Sequence, residues 1–247
     1  MSGFCDNHFE YRKIGAGERS IIFLNGFRMK YDSWGDVYNN LPEGYSILLF
    51  NRLGVGSSSK ARVRQTGSVV VNDVHGFLSR LEMKAPYLFV AHSLGGIYAN
   101  LYARTYPNEV SGVVFVDAPH PSEVIEQHAF RPPLILDAIN EGVKNIEKIF
   151  DKFKYSEDEC IDETISQIQA SGLFPNVPVA IVTGKKKMPF VPQAAFDTHL
   201  AFQMELLELS ARSKHYLCNN SGHFPQVTEP EIVVEAIIDT VDEIEQG

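Results

Sequence analysis

Ser93 stands directly between a short apolar run, Tyr87 to Ala91, and a segment in which Leu94, Ile97, Tyr98, Leu101 and Tyr102 recur at helical spacing. A serine at a tight strand-to-helix turn is forced into a strained backbone conformation that lifts its hydroxyl out of the sheet. Such a turn closes only with small residues on either side, and Ala91 and Gly95 meet that demand. The N–H groups at the start of the following helix then point at any oxygen held near Ser93, where a developing negative charge would be stabilised. A serine hydroxyl is almost wholly protonated near neutrality, so nucleophilic use of it requires a base. His223, in the loop Ser221-Gly222-His223-Phe224 after the last strand-like run, is the residue expected to take the proton. A loop histidine is more often an ordinary surface residue; this one sits above the same sheet edge as Ser93, which makes a hydrogen bond between them geometrically plausible.

These residues need a sheet to hold them. Short apolar runs at Ser20 to Leu24, Tyr45 to Phe50, Tyr87 to Ala91, Gly112 to Val116, Val177 to Thr183 and Lys214 to Cys218 alternate with helix-period segments. That alternation predicts an α/β fold with a mostly parallel central sheet and helices on both faces. Val70, Val74, Phe77, Leu78 and Leu81 mark one helix. Val234, Ile237, Ile238, Val241 and Ile244 mark the buried stripe of a last helix beginning near Pro230. Residues 120–175 contain no strand-like run and separate two strands by far more than an ordinary connection, so they are expected to form a small inserted helical cap. The 247 residues, 44% of them hydrophobic, are sufficient for a single domain over 1–247.

Taken together, the motifs resemble the α/β-hydrolase fold superfamily, in particular its serine esterase and lipase members. Ala91 to Gly95 is similar to the G-x-S-x-G nucleophile elbow with alanine at the first glycine. Asn25-Gly26-Phe27 resembles the start of the family's oxyanion loop. The resemblance implies that the backbone N–H groups of Phe27 and Leu94 form the oxyanion hole, each worth roughly 3 kcal/mol of transition-state stabilisation. Asn51 to Ser58 resembles the family's D-x-x-G-x-G-x-S loop, with Asn51 in place of aspartate. A dinucleotide fingerprint there is disfavoured by Ser59 at the third glycine position. The family's triad requires an acid, commonly after the strand that follows the cap, yet Lys185-Lys186-Lys187 occupies that place. Asp117, at the end of the preceding strand, is the preferred acid, with Asp197, a cap carboxylate, or no acid as alternatives. The implied activity is hydrolysis of a small or medium carboxylic ester through an acyl-enzyme on Ser93. Thioesters, lactones, amides and carbon–carbon bonds beside a ketone are open to the same groups, as is a non-catalytic ligand receptor.

Composition narrows the partners. A formal charge of -9 disfavours a nucleic-acid surface, and no apolar run is long enough to span a bilayer. Cys5, Cys160 and Cys218 are odd in number and scattered, which fits neither a disulfide framework nor a zinc site. With no secretory pattern in Met1 to Lys13, a cytoplasmic setting is expected. No cofactor or metal is expected, and the partner is a small-molecule acyl substrate. His8, His75, His128, His199 and His215 show no metal-ligand spacing and read as surface or half-buried; His92 is assigned no chemistry, and Lys185 to Lys187 reads as a solvated loop rather than an anion site, with a place at the pocket rim left open.

Overall fold

A computed structural model describes residues 8–127, 144 and 147–246. Among these, seven strands form one sheet: β1 Tyr11–Ile14, β2 Arg19–Leu24, β3 Tyr45–Phe50, β4 Tyr87–His92, β5 Val110–Val116, β6 Val179–Gly184 and β7 Ser213–Cys218. Their order is β1-β3-β2-β4-β5-β6-β7. Every pairing is parallel except β1 with β3. All the parallel strands therefore end at one edge, and the loops that follow β2, β4, β5, β6 and β7 share it.

The alternation of side chains along each strand builds two cores. Ile22, Leu24, Phe89, Ala91, Val113, Phe115 and Ile181 face the helices Gly67–Arg80, Leu94–Thr105 and Ile161–Ala170. Ile21, Phe23, Leu88, Val90, Val114, Val116 and Val182 face Trp34, Val37 and the last helix, Pro230–Gln246. Strands covered on both sides read as continuous apolar runs, which is why β2 to β6 are visible in the sequence; β7, at the other edge, is largely half-buried or exposed. The strand not expected is β1, whose Tyr11, Arg12 and Lys13 are exposed at the sheet edge. The buried stripe of the last helix is Val233, Ala236, Ile237, Thr240 and Val241, turned from the expected one; Val234 and Ile238 are only half-buried.

Between β5 and β6 the described residues form the helices Pro121–Gln127, Ser156–Glu159 and Ile161–Ala170. Residues 128–143 and 145–146 of the expected cap, with His128 among them, and Cys5 and the rest of residues 1–7 lie outside the described residues. No helix among the described residues is long and apolar enough to cross a membrane.

Candidate active site

The turn after β4 has the strain its sequence implied. Ser93 adopts φ 51° and ψ −124°, in a region that side chains avoid and that costs about 1–3 kcal/mol. Close packing holds it there. A Cβ on Gly95 would come within 2.4 Å of the Leu24 carbonyl oxygen, and one on Gly96 within 2.3 Å of the Ala118 Cβ. The Ser93 N–H donates to the Val116 carbonyl at 3.2 Å, and the Ser93 carbonyl accepts from Gly96 N–H at 2.8 Å. Neighbouring strands thus clamp the turn on both sides.

His223 reaches this turn from the loop after β7. Its Nε2 lies 3.0 Å from Ser93 Oγ, and its Nδ1 lies 2.8 Å from Asp117 Oδ2. With the proton on Nδ1, the imidazole donates to the carboxylate and accepts from the serine hydroxyl. The loop itself is tied down: Asn220 N–H and Ser221 Oγ donate to Glu229 Oε2, and Lys186 N–H donates to the Ser221 carbonyl. Beneath it lies His92, fully buried, whose Nε2–H donates to the His223 carbonyl at 2.7 Å. Burial, reinforced by the neighbouring His223, lowers the His92 pKa to about 3, so this ring stays neutral and serves as a support.

Asp117 directly follows β5, with φ 44°, and is almost wholly buried. Its Oδ1 accepts from Gly184 N–H at 2.9 Å, and His199 Nε2 lies 3.2 Å from the same oxygen. His199 Nδ1 is 2.8 Å from Glu123 Oε1, and the Glu123 side chain has no exposed surface. Burial alone would favour neutral His199, but its hydrogen bonds to Asp117 and Glu123 outweigh that and raise its pKa to about 10. The same balance acts on Asp117: burial pushes its pKa up, while hydrogen bonds from His199 and His223 hold it well below the ordinary carboxylate range. The result is a line of groups, Glu123, His199, Asp117, His223 and Ser93, with an imidazolium anchoring the acid from behind. Neither Glu123 nor His199 was singled out for chemistry from sequence. They lie 76 residues apart, and no local motif marks either one. Asp197, the alternative acid, is exposed and accepts from Gln193.

The segment after β2 is held by side chains from three directions. Asn25 is buried, donates to the Phe50 carbonyl and accepts from Trp34 Nε1. Arg52 donates through Nη1 to the Asn25 carbonyl at 2.6 Å and through Nη2 to the Gly26 carbonyl at 3.2 Å. It also makes a bidentate pair with Glu157. Asn51, in the position where the family has aspartate, accepts from Tyr31 N–H and donates to Glu10. The Phe27 N–H has no acceptor among the described residues, and Leu94 opens its helix, so its N–H has no intrahelical acceptor. Both donors belong to the ends of adjacent strands, with Leu24 paired to Ala91.

Beside Ser93 lies a cavity of about 410 Å³, lined on its apolar side by Pro119, Met188, Val191, Ala195 and Phe196. His199, Glu123, Gln127 and Lys186 also border it.

A parallel sheet carrying a strained serine turn over its carboxyl edge places the protein in the α/β-hydrolase fold class, and comparison with known proteins agrees. A sequence profile of the alpha/beta hydrolase fold family matches residues 19–141. The uncharacterized protein YqjL of Bacillus subtilis is 23% identical over 95% of this chain and 88% of its own. A putative lipase of Acinetobacter baumannii superposes with a TM-score of 0.69 at 16% identity, covering 99% of this chain and 91% of the other. An enol-lactonase of Burkholderia xenovorans does so with a TM-score of 0.66 at 16% identity, covering 97% and 98%. At such identities the likeness to the solved structures is one of fold. The chain has the α/β-hydrolase fold.

Proposed function

We propose that this chain is a serine hydrolase that cleaves a carboxylic ester of small or medium size, with Ser93 as nucleophile, His223 as general base and Asp117 as the orienting acid. The observation that carries the reading is the unbroken path from Ser93 Oγ to His223 Nε2 at 3.0 Å and from His223 Nδ1 to Asp117 Oδ2 at 2.8 Å. In the first step the Ser93 hydroxyl proton passes to His223 Nε2 as Oγ bonds to the ester carbonyl carbon. The oxyanion is stabilised by the N–H groups of Phe27 and Leu94. Collapse breaks the bond to the alcohol oxygen, which leaves with the proton from His223. A water then gives a proton to the same nitrogen and adds to the acyl-enzyme, and the acid departs as Ser93 regains its hydrogen.

Asp117 holds the Nδ1 tautomer and stabilises the imidazolium, and His199 holds Asp117. A cavity of about 410 Å³ suits a small acyl group. The inserted segment 120–175 acts as its cap, supplying Glu123 and Gln127 to the wall. Treatment with a fluorophosphonate, followed by intact-mass measurement, tests the nucleophile: one covalent adduct is expected on the wild type and none on Ser93→Ala. Folded wild-type protein that takes no adduct would leave a ligand receptor as the better reading. A panel of esters and thioesters of graded chain length then defines the substrate.

A further inference from the structure

The loop after β6, Lys185-Lys186-Lys187-Met188-Pro189-Phe190, is exposed along its whole length. Phe190 is 103% exposed, so its ring has no packing partner, and its backbone sits at φ 68°, a region unfavourable for a bulky side chain. Water contact with a whole aromatic ring and left-handed backbone are both costs, and both fall on one residue. Elsewhere the loop is well tethered. Lys185 N–H donates to the Cys218 carbonyl, Lys186 N–H to the Ser221 carbonyl, and Val191 N–H closes a turn on Met188. A Cβ on Gly222 would meet the Lys186 carbonyl oxygen at 2.9 Å and Met188 Cγ at 3.0 Å, so the loop is packed directly on the His223 loop. The tip is therefore presented outward from a fixed base.

Charge on the loop is opposite to that of the chain. The protein carries a formal charge of -9, yet three successive ammonium groups stand here, and none of the three lysines forms an ion pair among the described residues. Met188, Val191 and Pro192, on either side of Phe190, line the cavity beside Ser93, as does Lys186. An apolar tip, a row of cations and the mouth of the cavity thus share one rim.

We infer that this rim docks on an anionic lipid surface, with Phe190 entering the acyl boundary and the lysines meeting phosphate headgroups. A convex aromatic tip with no surrounding wall fits a partner that can deform around it, and lipid does so more readily than a folded protein surface. Lysine near an anionic leaflet gains about fivefold in affinity per residue, and the attraction is confined to a Debye length. Within the same distance the acidic faces of the chain, whose formal charge is -9, are repelled by the surface, so only this face approaches closely. Docking in that orientation opens the cavity toward the interface, where acyl chains are available as substrate.

The test uses the full chain and flotation with phosphatidylcholine vesicles, either neutral or containing about one-third phosphatidylglycerol. Expected is retention by the anionic vesicles at least about fivefold above the neutral ones, lost in about 1 M salt, where the Debye length is ~3 Å. Phe190→Ser combined with Lys185→Gln should lower that retention at least about fivefold while leaving hydrolysis of a soluble short-chain ester within about twofold of wild type. Equal retention on the two vesicle types, no retention on either, or a double variant that floats like wild type would overturn the inference. Flotation does not depend on Ser93 chemistry. A wild type that floats but hydrolyses no ester would count against the catalytic reading alone, and one that hydrolyses esters but does not float against the docking inference alone.

Discussion

β5 and β6 lie side by side in the sheet, with Val113 opposite Val179 and Val116 opposite Val182, and β6 runs on past the end of β5 to Gly184. Their ends have opposite characters. β5 is followed at once by a buried carboxylate, Asp117, gripped by two histidines; β6 ends in Gly184 and runs out into exposed lysines. In the proposed triad the acid, commonly found after the strand that follows the cap, lies one strand over. The Gly184 N–H still points at the carboxylate from the β6 side. The comparison teaches that the strand of origin matters less than the position of an oxygen opposite His223 Nδ1, and that the strand relieved of the acid is free to build a rim. It also explains why Gly184 is glycine: a Cβ there would meet the Gly222 carbonyl oxygen at 2.0 Å.

The asymmetry is open to direct attack. Asp117→Asn should cut kcat for a soluble ester by about 10⁴-fold with folding retained, because the wrong tautomer is then favoured at His223. A small loss would show that the acid lies elsewhere. On the β6 side, Gly184→Ala should displace the 221–223 loop and lower kcat by about 100-fold, with circular dichroism confirming the fold.

Removal of the imidazolium behind Asp117, as in His199→Gln, should lower kcat by about tenfold and change the response to pH. The His199 pKa is raised in the folded protein to about 10, so the stability it contributes is fully present below its unfolded value of about 6.5 and is lost as pH rises toward about 10. Wild-type Tm should therefore fall across that window, by about 2–4 °C per kcal/mol lost, and the His199→Gln protein should lack this component. Smallest of all, Asp197→Asn should leave turnover within about twofold of wild type, since Asp197 is exposed and bonded to Gln193. A large loss there would move the acid out of β5.

Much of this arrangement was legible because its signals are local. The runs that became β2 to β6 are apolar along most of their length since both faces are covered, whereas β7, at the sheet edge, is largely half-buried or exposed; the serine turn shows itself in five adjacent residues. β1 escaped notice because an exposed edge strand carries no buried pattern: Tyr11, Arg12 and Lys13 all face solvent. His199 escaped for a different reason. Its partner acids lie 82 and 76 residues away, and a histidine in a helix has no sequence mark that separates a buried ion pair from a surface residue. Arg52 and Glu157, 105 residues apart, form another pair of this kind, and through them the inserted segment holds the loop after β2.

By itself the sequence determined the layered fold, the strained serine and the histidine loop, because turn chemistry and hydrophobic periodicity act between neighbours along the chain. Only the tertiary structure decided which acid faces that histidine, what charge stands behind it and which residues rim the cavity. Those outcomes depend on distances of about 3 Å between groups from separate strands, and such distances exist only once the sheet has brought the strand ends together.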